Sequence, residues 1–380
     1  MRITFLVRSL EKGGAERQLA TLALGLKRRG VDVTAVVFYS CADGFDGDLE
    51  KGGIRVISLN KKGRWDVVPF LFRLIKTLRA ERPDIIHSYL DVSNLLTAVF
   101  KKMLRPAKIV WGVRASHMDF SKYDFWLGVT NSIASMLSRY ADLVIVNSNA
   151  GRSAAIDSGY PAKKVVMINN GIDTDKFDAD LQRRMSARKA WGIGERQKVI
   201  GLPARIDPMK DHPTFLRAVA EFKLTRNDVA FVLAGGGPQT LVDDLKTQAQ
   251  KLGIEDSLIW LGEVVDMPEV YNGFDIATLT SSGEGFPNVI GEAMACGVPC
   301  VVTDVGDAAT IVGETGAVVP PKNPTALAAE WNRMIGNLEK NKNVLKQASK
   351  ERIVKNFSID KLVDETLFAM KNILIKTRFQ

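Results

Sequence analysis

Two glutamates, Glu284 and Glu292, bracket a stretch that looks built to hold a ligand. Ser281-Ser282-Gly283-Glu284-Gly285-Phe286-Pro287 follows an apolar, strand-like run and leads into a helical one. Proline is tolerated in a first helical turn, where its missing N–H costs nothing. The amides of Asn288 and Val289 then point out of the helix start, an arrangement that attracts anions. Gly283 and Gly285 let a ligand approach the backbone closely. Carboxylates accept hydrogen bonds from hydroxyls, so amides on a phosphate and glutamates on polyols suit a sugar nucleotide. A blander reading also stands: Glu292 favours the positive end of its own helix, and Glu284 is solvated. The pair alone does not choose between them.

A second loop adds cations. In Pro203-Ala204-Arg205-Ile206-Asp207-Pro208-Met209-Lys210-Asp211-His212-Pro213, Arg205 supplies a planar fork and Lys210 a point charge. Together they could neutralise a diphosphate. Asp207 and Asp211 are nearby and could instead be their local partners.

These loops need a scaffold. Apolar runs of strand length alternate with amphipathic stretches such as Ala15–Arg29 and Val67–Arg79, which predicts a parallel sheet covered by helices on both faces. The strand series Ile3–Val7, Val31–Phe38, Ile54–Leu59, Asp84–His87, Ile109–Val113, Leu143–Asn147 and Val165–Ile168 is followed by a turn at Asn169–Asp173 and about 20 polar, irregular residues. A second series then begins: Val199–Pro203, Val229–Ala234, Leu258–Leu261, Asp275–Leu279, Val298–Val302 and Ala317–Val319. Helices are expected at Pro213–Leu224, Gln239–Leu252, Val289–Cys296, Pro324–Gly336 and Asp360–Ile375. The fold class is therefore α/β, with two doubly wound, Rossmann-like domains facing a cleft. The expected domains are residues 1–172, residues 173–358, and a last helix, 359–380, crossing back to the first domain.

Five segments in order resemble the GT-B glycosyltransferases of family 4: Gly-Gly-Ala-Glu-Arg at 13–17, Asn-Gly-Ile-Asp at 170–173, Arg205 with Lys210, Ala-Gly-Gly-Gly-Pro at 234–238, and Glu284 with Glu292. Glu284–Pro299 is the most family-like stretch, and the match spans nearly the whole chain. The resemblance implies that Glu284 contacts donor-sugar hydroxyls and Glu292 the ribose. It implies that Arg205 and Lys210 grip the diphosphate and stabilise the leaving group. Gly14 matches a glycine that closes on the donor phosphates from the first domain, the acceptor-binding one. Gly262 and Val264 match the region beside the base, and Gly285, Phe286, Pro287, Asn288 and Val289 complete the donor-binding segment. His117, after a strand of the first half, matches a histidine near the donor sugar; a plain packing histidine is the alternative. The implied reaction retains the anomeric configuration and needs no metal or other cofactor. Its partners would be a nucleotide-sugar donor and a glycan or polyprenyl-diphosphate-linked saccharide acceptor, in bacterial surface polysaccharide synthesis.

A sugar-nucleotide epimerase or phosphorylase of the same architecture, or a non-catalytic nucleotide-sugar-binding protein, would share most of these residues. No zinc, helix-turn-helix or RNA-binding motif supports a nucleic-acid partner. His87 is expected to pack or line a cleft, and His212 to be structural. Asp173-Thr174-Asp175 and Asp178-Ala179-Asp180 have a metal-binding form but fall in the linker, where solvated acids are the plainer reading. Gly235-Gly236-Gly237 reads as a turn beside the donor, since Thr240 stands where a dinucleotide fingerprint needs glycine.

Charge and composition narrow the setting. The chain has 380 residues and a formal charge of +9. Residues 1–170 hold 26 Lys and Arg against 15 Asp and Glu, so the basic excess lies in the first half. With the helical stretches Val67–Lys76 and Leu95–Lys108, this makes an anionic membrane surface a candidate partner. Cys41, Cys296 and Cys300 read as thiols of a reducing compartment. Neither a signal peptide nor a transmembrane run is read, so the expected location is cytoplasmic, peripheral to the inner face of the membrane.

Overall fold

The computed structural model describes residues 1–114, 125–194 and 196–375, and the side chains of all of these except 125–131. The chain divides into two compact units, Met1–Gly171 with Ile359–Gln380, and Ile172–Ser358.

The first unit is built on a seven-stranded sheet: β1 (Arg2–Val7), β2 (Asp32–Val37), β3 (Arg55–Ser58), β4 (Ile85–Tyr89), β5 (Lys108–Val113), β6 (Leu143–Val146) and β7 (Val165–Met167). The second carries six strands: β8 (Lys198–Pro203), β9 (Val229–Ala234), β10 (Leu258–Gly262), β11 (Ile276–Leu279), β12 (Cys300–Thr303) and β13 (Ala317–Val319). Every pairing in both sheets is parallel. Parallel strands covered on both faces read as near-continuous apolar runs, and all six residues of β9, VAFVLA, are buried. The orders are β3-β2-β1-β4-β5-β6-β7 and β10-β9-β8-β11-β12-β13. Each reverses direction beside its first strand, at β1/β4 and at β8/β11. Such reversal points open a crevice at the carboxyl ends of the strands.

In the first unit, helix Ile359–Ile375 packs on helix Gly14–Arg28. Leu362, Val363 and Met370 share a buried cluster with Leu19, Ala23 and Leu26. A Cβ on Gly25 would lie 2.4 Å from Val363 Cγ2, so the absence of a side chain sets this close approach. Exposed Arg29 donates to Asp360 (2.8 Å) at the edge of the same contact.

Three local expectations change. The stretch Leu95–Lys108 is not one helix: the helix is Asp91–Val99, turns follow, and β5 starts at Lys108. Pro106 also bars helix at Arg105, because the residue before a proline is pushed out of helical geometry. The polar stretch after Asp173 is not wholly irregular. It contains helix Leu181–Ala190, whose first amides, Gln182 and Arg183, donate to the Asp180 carboxylate. Pro287 sits one residue before its helix, which spans Asn288–Ala295.

Among the described residues, no helix is long and apolar enough to cross a membrane. Cys296 and Cys300 are buried free thiols, and burial pushes both well up from the ordinary thiol value.

Candidate active site

The second unit gathers most of the expected residues at one end of its sheet. Arg205 and Lys210 follow β8, Glu284 follows β11, and these are the two strands at the reversal point.

The loop after β8 is shaped by its own acids. Asp207 Oδ1 accepts from the Met209 amide (2.9 Å) and fixes a short 3-10 turn ending at Lys210. Asp211 adopts left-handed geometry (φ 49°) and caps helix His212–Lys223 by accepting from the Thr214 amide (3.3 Å), with the Thr214 hydroxyl donating to its other oxygen (2.7 Å). Aspartate is among the few non-glycine residues that visit this region readily. Thus Asp207 and Asp211 build the loop, and Asp207 also pairs with Arg205 (3.1 Å).

Three hydrogen bonds lace this loop to the one after β11. The Ser282 amide donates to the Met209 carbonyl (2.8 Å), joined there by the Ser282 hydroxyl (3.2 Å). The Thr280 hydroxyl donates to the Lys210 carbonyl (2.7 Å). Across this seam Lys210 Nζ lies 2.5 Å from Glu284 Oε1, which also accepts from the buried Ser281 hydroxyl (2.7 Å). Both charged side chains are largely covered, whereas the Arg205 side chain is 73% exposed. One cation is therefore locked and the other projects into solvent.

Glycines bring further backbone against the site. A Cβ on Gly306 (φ 56°) would meet the Glu284 carbonyl at 2.3 Å, and the Asp307 amide donates to the Gly285 carbonyl (2.9 Å). Gly235 passes close to Ala204, where a Cβ would meet the carbonyl at 2.1 Å. Its amide donates to the Gly262 carbonyl (2.8 Å), and the Ile206 amide donates to the Gly236 carbonyl (2.8 Å). The glycine turn, the Arg205 loop and Gly262 are thus stitched together.

Glu292 has a separate partner. It is buried, five residues into its helix, and accepts from the hydroxyl of Tyr271 (2.8 Å). Phe286 turns its ring inward, 5.6 Å from that of Phe357, so it offers backbone rather than side chain to a ligand. Val264 also packs against the core, while Gly262 is exposed with left-handed φ (66°). Pro287 and Gly285 are buried, and Asn288 and Val289 are half-buried at the helix start, whose first amides lack acceptors within the helix itself.

Not every expected residue joins this group. Gly14 belongs to the first unit, where it opens helix Gly14–Arg28 after β1. His117 lies outside the described residues. His87 is fully buried between Phe5 and Tyr89 (5.2 and 4.7 Å between ring centroids), with neither ring nitrogen hydrogen-bonded. Burial, reinforced by the Arg114 charge, holds its pKa well below the ordinary histidine value. Of the two readings for His87, packing is the one observed. His212 starts its helix and is buried; burial lowers its pKa to about 4 against an opposing backbone hydrogen bond at Ala204. The linker acids are occupied locally: Asp173 accepts from the amides of Asp175 and Lys176, Asp178 pairs with Lys350, and Asp180 caps a helix. Among the described residues, no group of three His, Cys, Asp or Glu side chains could hold a metal ion.

Sequence alone did not single out Tyr271 and Gly306, which position the glutamates from other elements, or give Ser281, on the Glu284 loop itself, a role. A buried tyrosine hydroxyl usually has a partner, but nothing local to residue 271 points to residue 292.

Two family models match the chain in tandem: Glycosyltransferase Family 4 over residues 12–176, and Glycosyl transferases group 1 over residues 184–352. The chain is a family 4 glycosyltransferase of the GT-B fold. Its relatives include the UDP-Gal:alpha-D-GlcNAc-diphosphoundecaprenol alpha-1,3-galactosyltransferase of Escherichia coli, 24% identical over 302 residues, 78% of this chain and 77% of that one. Another is the N-acetyl-alpha-D-glucosaminyl L-malate synthase of Bacillus anthracis, 25% identical over 77% of this glycosyltransferase and 76% of the relative. Among solved structures, Anabaena HepE in complex with UDP superposes with a TM-score of 0.86 at 24% identity, covering 98% of this chain and all of that one. HepE with UDP-glucose gives 0.81 at 25% identity, covering 97% and 100%. This glycosyltransferase therefore has relatives in bacterial lipid-linked sugar synthesis.

Proposed function

We propose that this glycosyltransferase moves a sugar from a nucleoside diphosphate, with retention and without a metal, to a glycan or polyprenyl-diphosphate-linked saccharide in surface polysaccharide synthesis. The transfer would take place at the inner face of the membrane. The observation that carries the reading is the Lys210–Glu284 pair at the β8/β11 reversal point, with exposed Arg205 on the adjoining loop.

The chemistry follows from charge. Breaking the bond between the anomeric carbon and the phosphate oxygen builds negative charge on the diphosphate and positive charge on the sugar. Lys210, held in place, and Arg205, free to reach out, stabilise the diphosphate as it leaves. Preorganised charge of this kind typically supplies about 2–4 kcal/mol per contact, roughly 30–1000-fold in rate. Glu284 orients sugar hydroxyls and Glu292 the ribose. The acceptor oxygen bonds the anomeric carbon on the face the phosphate leaves, and its proton passes to the departing phosphate oxygen.

Uridine diphosphate sugars are the first donors to test, because UDP occupies HepE and the Escherichia coli relative is named for UDP-Gal. The test is incubation of donor with a polyprenyl-diphosphate-linked saccharide, with and without EDTA, followed by NMR of the product anomer. A retained linkage that forms in EDTA supports the reading. An inverted linkage, or activity lost in EDTA and restored by Mn²⁺, contradicts it. Conversion of donor without any acceptor would favour an epimerase.

A further inference from the structure

The first unit carries an exposed apolar feature that its core does not explain. Trp65 is 88% exposed, Val68 76% and Phe72 68%, and Val67 beside them is about half exposed. Single exposed apolar residues are ordinary, but adjacent large ones mark an interaction surface. They lie on one loop and the first turns of helix Val67–Ala80.

The helix explains their common direction. Phe70, Leu74 and Leu78, four residues apart, are its buried stripe. Val68 and Phe72 have the same spacing on the opposite side, and Lys76 and Arg79 continue that face with exposed cations. The outer face thus runs from apolar to cationic along the helix.

Trp65 is presented by a pinned loop, not a loose one. The Asp66 carboxylate accepts from the Lys62 amide (2.8 Å) and pairs with Arg73. Arg73 also donates to the Leu59 carbonyl (2.9 Å). The Arg64 guanidinium sits 5.8 Å from the Trp65 ring centroid. A partly covered ion pair and two backbone contacts therefore hold a large aromatic residue in water.

The charge says what covers it. Residues 60–79 contain Lys61, Lys62, Arg64, Arg73, Lys76 and Arg79 against one acid, Asp66, and that acid is turned inward onto Arg73. Tryptophan flanked by cations suits the boundary between lipid headgroups and acyl chains. Basic residues beside it add attraction to anionic lipid. We infer that Trp65, Val68 and Phe72, ringed by Lys62, Arg64, Lys76 and Arg79, dock the first unit on an anionic bilayer surface. Docking there would bring a lipid-linked acceptor to the enzyme. The inference deepens the membrane-side half of the proposed function and rests on that reading for its purpose.

The test is sedimentation of the full chain with vesicles of phosphatidylcholine alone and of phosphatidylcholine mixed with phosphatidylglycerol. Wild type should bind the mixed vesicles far better, and salt should weaken the binding. The Trp65→Ser/Phe72→Ser variant should lose about tenfold or more in partition to the mixed vesicles. Lys62→Glu/Arg64→Glu should lose about fivefold or more per cation and should retain weak binding to neutral vesicles. The single variant Trp65→Ser, changing a residue almost wholly in solvent, guards against misfolding. A thermal shift with UDP-glucose, read in parallel, should be unchanged in all of these variants. If no UDP-, GDP- or ADP-sugar shifts the wild type while vesicles still bind, the transferase reading fails and the docking surface stands. Equal vesicle binding by wild type and Trp65→Ser/Phe72→Ser would overturn the inference. So would a wild-type dimer that Phe72→Ser converts to monomer without any vesicle binding, since the patch would then be a self-interface.

Discussion

Lys210 and Glu284, 74 residues apart in the chain, form a 2.5 Å ion pair that bridges the loops after β8 and β11. The pair joins a cation assigned to the diphosphate with a carboxylate assigned to the sugar. Lys210→Ala should lower turnover by roughly 30–1000-fold. It should also cost about 1–3 kcal/mol of stability, because Glu284 keeps only Ser281 as a described partner inside a covered site. The double variant Lys210→Met/Glu284→Gln should recover much of that stability and none of the turnover. Urea unfolding and initial rates read the two effects separately, and near-normal turnover in Lys210→Ala would sink the diphosphate assignment.

Arg205 offers the contrasting case. Its side chain is mostly in solvent and pairs only with its neighbour Asp207 among the contacts described. Exposed pairs of this kind contribute little to stability. Arg205→Ala should change unfolding free energy by no more than about 0.5 kcal/mol. Turnover should still fall within the range expected for Lys210→Ala. A large stability loss with unchanged kcat would show a structural residue instead.

Gly306 tests whether the Glu284 loop is held from behind. Its backbone is left-handed, and a Cβ would collide with the carbonyls of Glu284 and Gly285, which are backbone atoms and cannot swing aside. Gly306→Ala should cost about 1–3 kcal/mol, raise the donor KM and lower kcat. Gly47, in helix Asp46–Lys51 with open space where a Cβ would stand, is the control. Gly47→Ala should be neutral or stabilising by up to about 1 kcal/mol and leave kinetics unchanged.

His212 gives a pH signature. Its folded pKa, about 4, lies below the ordinary value of 6.5 because the ring is buried. Below pH 6.5 the unfolded chain takes up a proton that the folded chain refuses until about pH 4. Stability is therefore full above 6.5 and is lost as pH falls through that window, by about 2 kcal/mol at pH 5. His87, also depressed by burial, acts in the same direction. The difference in unfolding free energy between pH 7 and pH 5 should shrink by about that amount in His212→Asn. An unchanged difference would mean that His212 is protonated in the fold.

Much of the fold was legible because parallel strands leave a simple record. Runs such as Val229–Ala234 are apolar at every position, and turn residues separate them from helical patterns. The misjudged elements lack that record. Helix Leu181–Ala190 is polar nearly all round and depends on the Asp180 cap. Leu95–Lys108 is apolar enough to read as one helix, and Pro106 marks where it cannot continue. At the candidate site, Glu284, Glu292, Arg205 and Lys210 could be singled out by type and spacing. Their pairing could not: Lys210 meets Glu284, and Tyr271 meets Glu292, through loops brought together only by the sheet order. His87 was ambiguous in sequence because a histidine ending a strand can face a crevice or the core; full burial between Phe5 and Tyr89 decides for the core.

The central claim is that the second unit holds a nucleoside diphosphate sugar through Glu292 at the ribose and the cations at the diphosphate. A thermal-shift titration of wild type and Glu292→Ala with UDP-, GDP- and ADP-sugars tests it most directly, each protein read against its own unliganded Tm. For wild type, one nucleotide class should raise stability by about 2.7 kcal/mol at a hundred times its Kd. Glu292→Ala should need a much higher concentration for the same shift. No shift of wild type with any nucleotide sugar, or an identical titration for Glu292→Ala, would contradict the account.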